Sequence, residues 1–368
     1  MKQKNSFSGQ IGFVFAAAGS AVGVGNLWRF PYLAAKDGGG LFLLIYLVLV
    51  LTVGFVLLTT DIAIGRKTGK SAIYAYESMQ KKWKFLGVIT FLVPVLIMTY
   101  YAVIGGWILR YIVIYLTSSG KQAVADDCFT AFISSPSSVW YGLIFMLLTA
   151  LIVYNGVEEG IERVSKFIMP VLLIMVIGIA IFSLTLKTTL DDGTVRTGLQ
   201  GLKVYMKPDL TGITVGRFLQ ITLDAMSQLF FSLSVSMGIM ITYGSYVKKD
   251  VDLNKAVSQI EIMDTGVAFL AGVMIIPAVF VFSGLDGMSA GPGLMFVSLP
   301  KVFYSMGTVG RVIGILFFVL AGFAALTSCI SVLESITANC MELFHTERKK
   351  TTRVLSVIYL IATAVIAL

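Results

Sequence analysis

Nine long apolar segments recur along this 368-residue chain, and they restrict its fold more than any other feature. Most can cross about 30 Å of hydrocarbon at about 1.5 Å per helical residue. Because lipid cannot pair backbone polar groups, the chain is predicted to be an all-α membrane protein. The ninth segment is short and the chain stops within it, so we expect a fold truncated in helix 9. The segments are residues 10–35, 40–65, 86–117, 138–154, 165–186, 214–244, 255–283, 308–343 and 354–368.

The positions of the charged residues fit a protein built from these segments. Hydrophobic residues make up 57% of the chain and charged residues 13%, which excludes an ordinary soluble globular protein. A net charge of +8 suits a nucleic-acid partner in a soluble protein, but here Lys and Arg cluster before the first segment and after the second, fourth, sixth and eighth. This placement indicates topology rather than nucleic-acid binding. By the positive-inside rule, the chain is predicted to be a multi-pass protein of the cell membrane with a cytoplasmic N-terminus.

The first segment contains residues that a simple membrane anchor does not need. Within residues 16–31 lie three glycines, at positions 19, 23 and 25, followed by Asn26 and Arg29. Each glycine weakens a helix by about 1 kcal/mol relative to alanine. A guanidinium in the membrane costs at least about 2.5 kcal/mol unless it is paired or hydrated. The pattern therefore predicts a helix that breaks at mid-membrane, where free carbonyls bind a cation and free N–H groups bind an anion.

A second interrupted segment covers residues 228–244, where Ser232, Ser234 and Ser236 precede Gly238. Serine side chains compete with the helix for backbone hydrogen bonds. Broken first and sixth segments are five spans apart, so the second would enter the membrane from the opposite face. This spacing predicts two inverted repeats of five helices each, residues 1–186 and, incompletely, 214–368.

Close helix packing is the alternative explanation for these small residues. Gly19 and Gly23 have the spacing of a small-xxx-small packing motif. Packing alone does not explain Asn26, Arg29 or the five-span offset. Few other strong polar groups lie inside the segments, and each is a candidate site residue. They are Asp61, Tyr100, Tyr101, Asp224, Gln228, Asp264, Thr327, Ser328 and Glu334.

The chemistry of these groups favours a hard cation over catalysis. Sodium prefers carbonyl, hydroxyl and carboxylate oxygens, which Asn26, Ser232 and Asp264 can supply. Thr327 and Ser328 add two hydroxyls, although hydrogen bonds to the preceding helical turn explain them equally well. The sequence contains no His/Cys cluster, HExxH, GxSxG or phosphate-loop motif, so we expect no enzyme.

Four stretches of sequence give the chain a specific resemblance to a known family. It resembles the neurotransmitter:sodium symporters, and among them the bacterial amino-acid transporters. The resemblance implies the inverted-repeat (5+5) transporter fold with broken helices 1 and 6. The stretches are GSAVGVGNLWRFPY at 19–32, DGGGLFLLIY at 37–46, FFSLSVSMGIMITYGSYV at 230–247 and ALTSCISVLE at 325–334.

The resemblance also implies two sodium sites and a substrate site. The first sodium site would use Ala21, Asn26, Ser232 and Asp264. The second would use Gly19, Val22, Ala324, Thr327 and Ser328. The substrate carboxylate would lie against the N–H groups of Val24 and Gly25 and the hydroxyl of Tyr101, and the amino group near Phe231 and Ser234. The substrate side chain would contact Ile97, Tyr101, Phe231, Met237, Ser328 and Val332. Arg29 and Phe231 match the outer gate, and Lys4 and Glu342 the inner gate.

These assignments imply a sodium-coupled symporter that imports a small apolar or aromatic α-amino acid by alternating access. Asp264 stands where the family often has Asn. Chloride-dependent members bind the anion near the positions of Tyr46, Gln228 and Ser232, and a fixed carboxylate at 264 would replace it. Chloride is therefore not expected as a cofactor.

Two other functions remain compatible with the sequence. A proton-coupled amino-acid transporter of the same architecture would keep Asp264 without needing Thr327 and Ser328 as ligands. A non-transporting membrane amino-acid sensor would bind the substrate without flux. The expected partners are the amino acid and the bilayer, and a homo-oligomer is compatible with them.

Overall fold

The computed structural model describes residues 6–118 and 120–368, which are mostly helical. The helices coincide with the predicted apolar segments, and additional short helices lie between them. Within the described residues, the first half of the chain forms α1 Gln10–Ala21, α2 Val24–Lys36, α3 Gly40–Leu49, α4 Phe55–Thr68, α5 Ala72–Met79, α6 Lys84–Ser118, α7 Cys128–Ile133, α8 Ser137–Tyr154 and α9 Arg163–Thr185.

A small hairpin and a helix connect this half to the second. The strands β1 Lys187–Thr189 and β2 Val195–Thr197 pair antiparallel, with Lys187 opposite Thr197. The remaining helices are α10 Gly198–Met206, α11 Val215–Ser232, α12 Ile239–Gly244, α13 Leu253–Ser283, α14 Leu299–Ser305, α15 Thr308–Phe344 and α16 Arg348–Ile366. Three π-helical turns, Val50–Gly54, Val157–Glu162 and Leu294–Ser298, adjoin α3, α9 and α14.

Side-chain caps explain where several of these helices begin. The Thr214 hydroxyl accepts a hydrogen bond of 3.2 Å from Arg217 N, at the start of α11. The Asp252 carboxylate accepts a hydrogen bond of 3.2 Å from Lys255 N, at the start of α13. Each oxygen pairs a first-turn N–H that has no partner within its own helix.

The first predicted break is present between α1 and α2. The two helices form a span bent by 54°. Val22 and Gly23 between them have extended backbone, at φ −71° and ψ 95° and at φ −120° and ψ −174°. The bend therefore follows Gly19 and precedes Asn26, where the glycine pattern predicts it.

The second predicted break is longer and separates α11 from α12. Residues 233–238 lie between them, and Ser234 and Ser236 have φ of 53° and 61°. These values lie in the left-handed region, which few non-glycine residues adopt. Gly238 has φ of 71° in the same region, which glycine adopts without strain. Strained backbone of this kind is concentrated at functional sites.

The number of simple apolar spans is smaller than the nine predicted segments. Among the described residues, six helices are long and apolar enough to cross a membrane, and the bent pair α1–α2 makes a seventh. The sixth predicted segment is not among these spans because it is divided between α11 and α12. The ninth differs because α16 begins with four basic residues, Arg348, Lys349, Lys350 and Arg353. The division into repeats at 1–186 and 214–368 stays a prediction.

Candidate functional site

The two helix breaks meet at one cavity in the interior of the bundle. We call it the central cavity. Residues from both breaks line it together with residues of α6 and α15. Its lining is Ser20, Ala21, Gly23, Asn26, Ile97, Tyr101, Phe231, Ser232, Ser234, Met237, Ile239, Ser328, Ser331 and Val332. The structure thus brings together residues that are more than 300 positions apart in the sequence.

Three of the predicted ligands of the first sodium site are in direct contact beside this cavity. Asn26 Nδ2 donates to Asp264 Oδ1 at 2.9 Å and to Ser232 Oγ at 3.1 Å. The Ser232 hydroxyl lies 2.8 Å and 2.9 Å from the two Asp264 carboxylate oxygens. Ala21, the fourth predicted ligand, lines the same cavity. The predicted set therefore converges on one point from α1, α2, α11 and α13.

The donor set fits a monovalent hard cation. Asp264 is fully buried, and among the described residues no Lys or Arg forms an ion pair with it. A buried carboxylate with only neutral partners is unfavourable by several kcal/mol unless a positive charge compensates it. Carboxylate, amide and hydroxyl oxygens are the ligand types that suit sodium.

The predicted second sodium site lies at the contact of α1 with α15. A Cβ built on Gly19 would be 3.2 Å from Thr327 Cβ, so the two helices touch there. The Thr327 hydroxyl donates to Phe323 O at 3.0 Å and to Ala324 O at 3.2 Å, the ordinary bonding to the preceding turn. The Ser328 hydroxyl reaches across to Ser20 O at 3.2 Å. Sodium coordination by Val22 and its partners stays a prediction.

Seven of the nine predicted substrate residues line the central cavity. They are Ile97, Tyr101, Phe231, Ser234, Met237, Ser328 and Val332. The other two, Val24 and Gly25, start α2, where first-turn N–H groups and the helix dipole favour a carboxylate. Gly25 also packs against Phe231, because a Cβ on Gly25 would lie 2.8 Å from Phe231 Cε1.

Four cavity residues were absent from the predicted site: Ser20, Gly23, Ile239 and Ser331. The Ser20 hydroxyl donates to Ser331 Oγ at 2.7 Å, and the Ser331 hydroxyl donates to Ser328 O at 2.8 Å. One signal was available for Ser331, since it lies one helical turn after the predicted Ser328 on the same face.

The predicted outer gate residues, Arg29 and Phe231, are connected through α11. Arg29 donates from Nη2 to Ser227 Oγ at 2.8 Å and from Nη1 to Gln228 Oε1 at 3.2 Å. Phe231 follows Gln228 by about one turn of α11 and lines the cavity. Arg29 on α2 is thereby connected to α11, the helix that carries Phe231.

Comparisons with known proteins establish the family of this chain. A family model described as "Sodium:neurotransmitter symporter family" matches residues 4–138 and 130–368. This chain belongs to the sodium:neurotransmitter symporter family. It is therefore a sodium-dependent symporter of the membrane and not an enzyme.

Three similar proteins are informative. The chain is 38% identical over 352 residues to the uncharacterized sodium-dependent transporter YhdH of Bacillus subtilis, covering 94% of this chain and 74% of that protein. It is 33% identical over 357 residues to an uncharacterized sodium-dependent transporter of Haemophilus influenzae, covering 93% and 75%. The crystal structure of MhsT in complex with L-phenylalanine superposes with a TM-score of 0.84 at 38% identity, covering 98% of this chain and 80% of MhsT.

The position where the family resemblance places chloride contains two buried donors. The Tyr46 hydroxyl and Gln228 Nε2 are buried and have no hydrogen-bond partner among the described residues. Ser232, the third residue of that set, is instead bonded to Asp264. Ser232, which the family resemblance places at the anion position, therefore holds the Asp264 carboxylate of this symporter.

The inner gate predicted from Lys4 and Glu342 stays a prediction. Lys4 lies outside the described residues. Glu342 accepts hydrogen bonds from Ser71 N at 3.0 Å and Ser71 Oγ at 2.7 Å, so its carboxylate caps the start of α5. Glu334, a candidate site residue by sequence, lies about two helical turns before Glu342 on α15 and has a partner that the sequence did not predict. Arg348 donates to both oxygens of Glu334, at 2.6 Å and 2.7 Å, and the Tyr246 hydroxyl donates to Glu334 at 2.7 Å.

Asp61 connects α4 to the second helix break. Its carboxylate is buried and accepts a hydrogen bond of 3.2 Å from Ser236 N. Ser236 has the left-handed backbone described above. Asp61, a candidate site residue by sequence, therefore stabilises the irregular backbone of the break and does not line the central cavity.

Proposed function

We propose that this symporter imports an apolar or aromatic α-amino acid together with sodium. The observation that carries the proposal is the buried cluster of Asn26, Ser232 and Asp264 beside the central cavity. A cation held there would lie next to a substrate whose carboxylate is bound at the start of α2. The substrate carboxylate would then complete the cation's ligand set, so neither would bind tightly without the other.

The lining of the cavity supports an apolar or aromatic side chain. The walls facing the substrate include Ile97, Phe231, Met237 and Val332. Met adapts its shape to different apolar groups. No Lys, Arg, Asp or Glu lies among the cavity's lining residues, so a charged side chain would find no partner there. The L-phenylalanine in complex with MhsT is an amino acid of this class.

We infer two sodium ions per transport cycle and no chloride requirement. Asn26, Ser232 and Asp264 would hold the first ion, and Gly19, Thr327 and Ser328 would help to hold the second. Asp264 would supply the negative charge that chloride supplies in other members of the family. Moving one charge across 100 mV is worth about 2.3 kcal/mol, so two ions can drive strong accumulation.

Alternating access would move one group of helices against another. The spans of α1–α4 and α11–α13 would rock against α6, α8 and α15. Two ion pairs support movement of α2 and α11 as one body. Lys36 Nζ lies 2.9 Å from an Asp224 oxygen, and Arg217 Nη2 lies 2.8 Å from an Asp37 oxygen. With the N-terminus in the cytoplasm, Arg29 and Phe231 would close the outer side of the cavity.

Uptake into proteoliposomes tests this function. The purified protein should accumulate labelled L-phenylalanine when a sodium gradient is imposed, and not when sodium is replaced by choline. Accumulation driven equally well by a proton gradient without sodium would favour the proton-coupled alternative, for which buried Asp264 is the supporting observation. Saturable binding without accumulation would instead favour a non-transporting sensor.

A further inference from the structure

A groove that faces the bilayer lies between α3–α4 and α13, outside the central cavity. Leu51 and Phe55 form one wall, and Ser258, Glu261, Thr265 and Phe269 line the other. Beside these, Leu51 is 66% exposed and Ile262 is 71% exposed, so the groove opens toward lipid. Its volume is about 720 Å³. We call it the lateral groove.

One carboxylate in this groove has an oxygen with no partner among the described residues. Glu261 is 5% exposed, and its Oε1 atom is buried without a hydrogen-bond partner among the described residues. None of the ion pairs formed by the described residues includes Glu261. An ionisable group of this kind inside a membrane is costly unless something binds to it. The transport site described above does not use it.

A second polar group lies one helical turn away. Thr265 follows Glu261 by four residues on α13 and lines the same groove, and its Oγ1 atom is also buried without a partner among the described residues. Residues separated by four positions share one face of a helix. The lateral groove therefore combines apolar walls with two adjacent oxygens that can accept hydrogen bonds.

We propose that the lateral groove binds an amphipathic amine that enters from the bilayer. An ammonium group has three donors, which match the Glu261 carboxylate and the Thr265 hydroxyl. The apolar chain of the amine lies along Leu51, Phe55 and Phe269. Residues 258–269 cover about 16 Å of helix, roughly the length of a dodecyl chain.

The backbone opposite the carboxylate approaches it closely. The wall facing Glu261 is Gly54, at the end of the π-helical turn Val50–Gly54. A Cβ at Gly54 would lie 3.2 Å from Glu261 Oε1, which is closer than ordinary contact. A larger residue at position 54 would therefore press on the Glu261 carboxylate. Single π-helical turns of this kind occur frequently at functional sites.

Direct binding tests the proposal without any requirement for transport. The protein is placed in zwitterionic lipid nanodiscs and titrated with dodecylamine that carries a dansyl group at the far end of its chain, so that the ammonium stays free, and with dodecanol labelled at the same end. Protein-free nanodiscs provide the blank. We expect saturable binding of the amine and, because a charge-assisted hydrogen bond is lost, at least about tenfold weaker binding of the alcohol. Non-saturable binding of the amine, or equal binding of the two probes, would overturn the proposal.

Substitutions locate the site. Glu261→Gln keeps the shape and removes the charge, so the affinity for the amine should fall at least about tenfold. The matched control Glu158→Gln makes the same change at an exposed carboxylate and should leave the affinity unchanged. Should Glu261→Gln fail to fold, Thr265→Val provides the second variant, with an expected loss of about threefold for one hydrogen bond. Unchanged affinity in a folded variant at position 261 or 265 would contradict the proposal.

Discussion

Asn26 and Asp264 are 238 positions apart in the sequence, and their side chains are joined by a hydrogen bond of 2.9 Å. The bond connects the start of α2, immediately after the first helix break, to the middle of α13. A cation at this contact would touch the end of the broken span and a fully buried carboxylate together. The proposed substrate site and the proposed cation site would therefore form one structural unit.

The charge of Asp264 is the first feature to test. Asp264→Ala removes the carboxylate and leaves Asn26 and Ser232 without their common partner. We expect the free energy of sodium binding to weaken by about 2 kcal/mol or more, roughly a thirtyfold loss of affinity, because the ion would lose a buried charged partner. Sodium titration of substrate binding measures this loss. Asp250→Ala, at an exposed carboxylate, is the control and should bind sodium like the unaltered protein.

Chloride replacement tests the role of the same carboxylate in a different way. Because Asp264 supplies a fixed negative charge next to Ser232, transport should proceed at an unchanged rate when chloride is replaced by gluconate. Sodium-driven uptake in the two anions is the measurement. A collapse of uptake in gluconate would show that Tyr46 and Gln228 bind a required chloride ion.

The absence of a side chain at Gly25 should be required for the substrate to fit in its pocket. In Gly25→Ala the added Cβ would lie 2.8 Å from Phe231 Cε1, so the ring must move. Overpacking costs about 1–3 kcal/mol, and substrate affinity should fall about tenfold or more. Gly178→Ala in α9 is the matched control, since its Cβ would meet nothing within 4 Å. Equal loss of affinity in both variants would mean that the effect is not local to the pocket.

Stability should depend on the buried pair of Glu334 and Arg348. Arg348→Ala would leave Glu334 buried beside Tyr246 without its cationic partner, a loss of about 3–5 kcal/mol in comparable pairs. The free energy of unfolding in detergent, measured against Lys349→Ala at an exposed neighbour, gives the difference. A loss of stability no larger than that of Lys349→Ala would show that water or another group replaces the guanidinium.

The sequence predicted more of the local structure than of the contacts. Glycine and serine in residues 16–31 and 228–244 were sufficient to predict both helix breaks, because their effect on the backbone is local. The contact of Asn26 with Asp264 depended on family resemblance, because no spacing rule brings α2 to α13. The inner gate was less predictable, since Glu342 bonds to Ser71, whose proximity depends on how α5 packs.

The same reasoning explains the residues that were overlooked. Ser20 and Ser331 bond to each other at 2.7 Å only because α1 and α15 are in contact. Glu261 has no motif around it, and its significance comes from the absence of a partner among the described residues. Such features are properties of packing, which a single sequence does not specify.

The central claim is that sodium at Asn26, Ser232 and Asp264 couples to an amino acid in the central cavity. Equilibrium binding of labelled L-phenylalanine, measured over a range of sodium concentrations with choline as the replacement, tests it most directly. Affinity should rise with sodium in the unaltered protein, and Ser232→Ala, which removes one ligand, should need about tenfold more sodium. Binding that is equally tight in choline, or the same sodium dependence in Ser232→Ala, would contradict the claim.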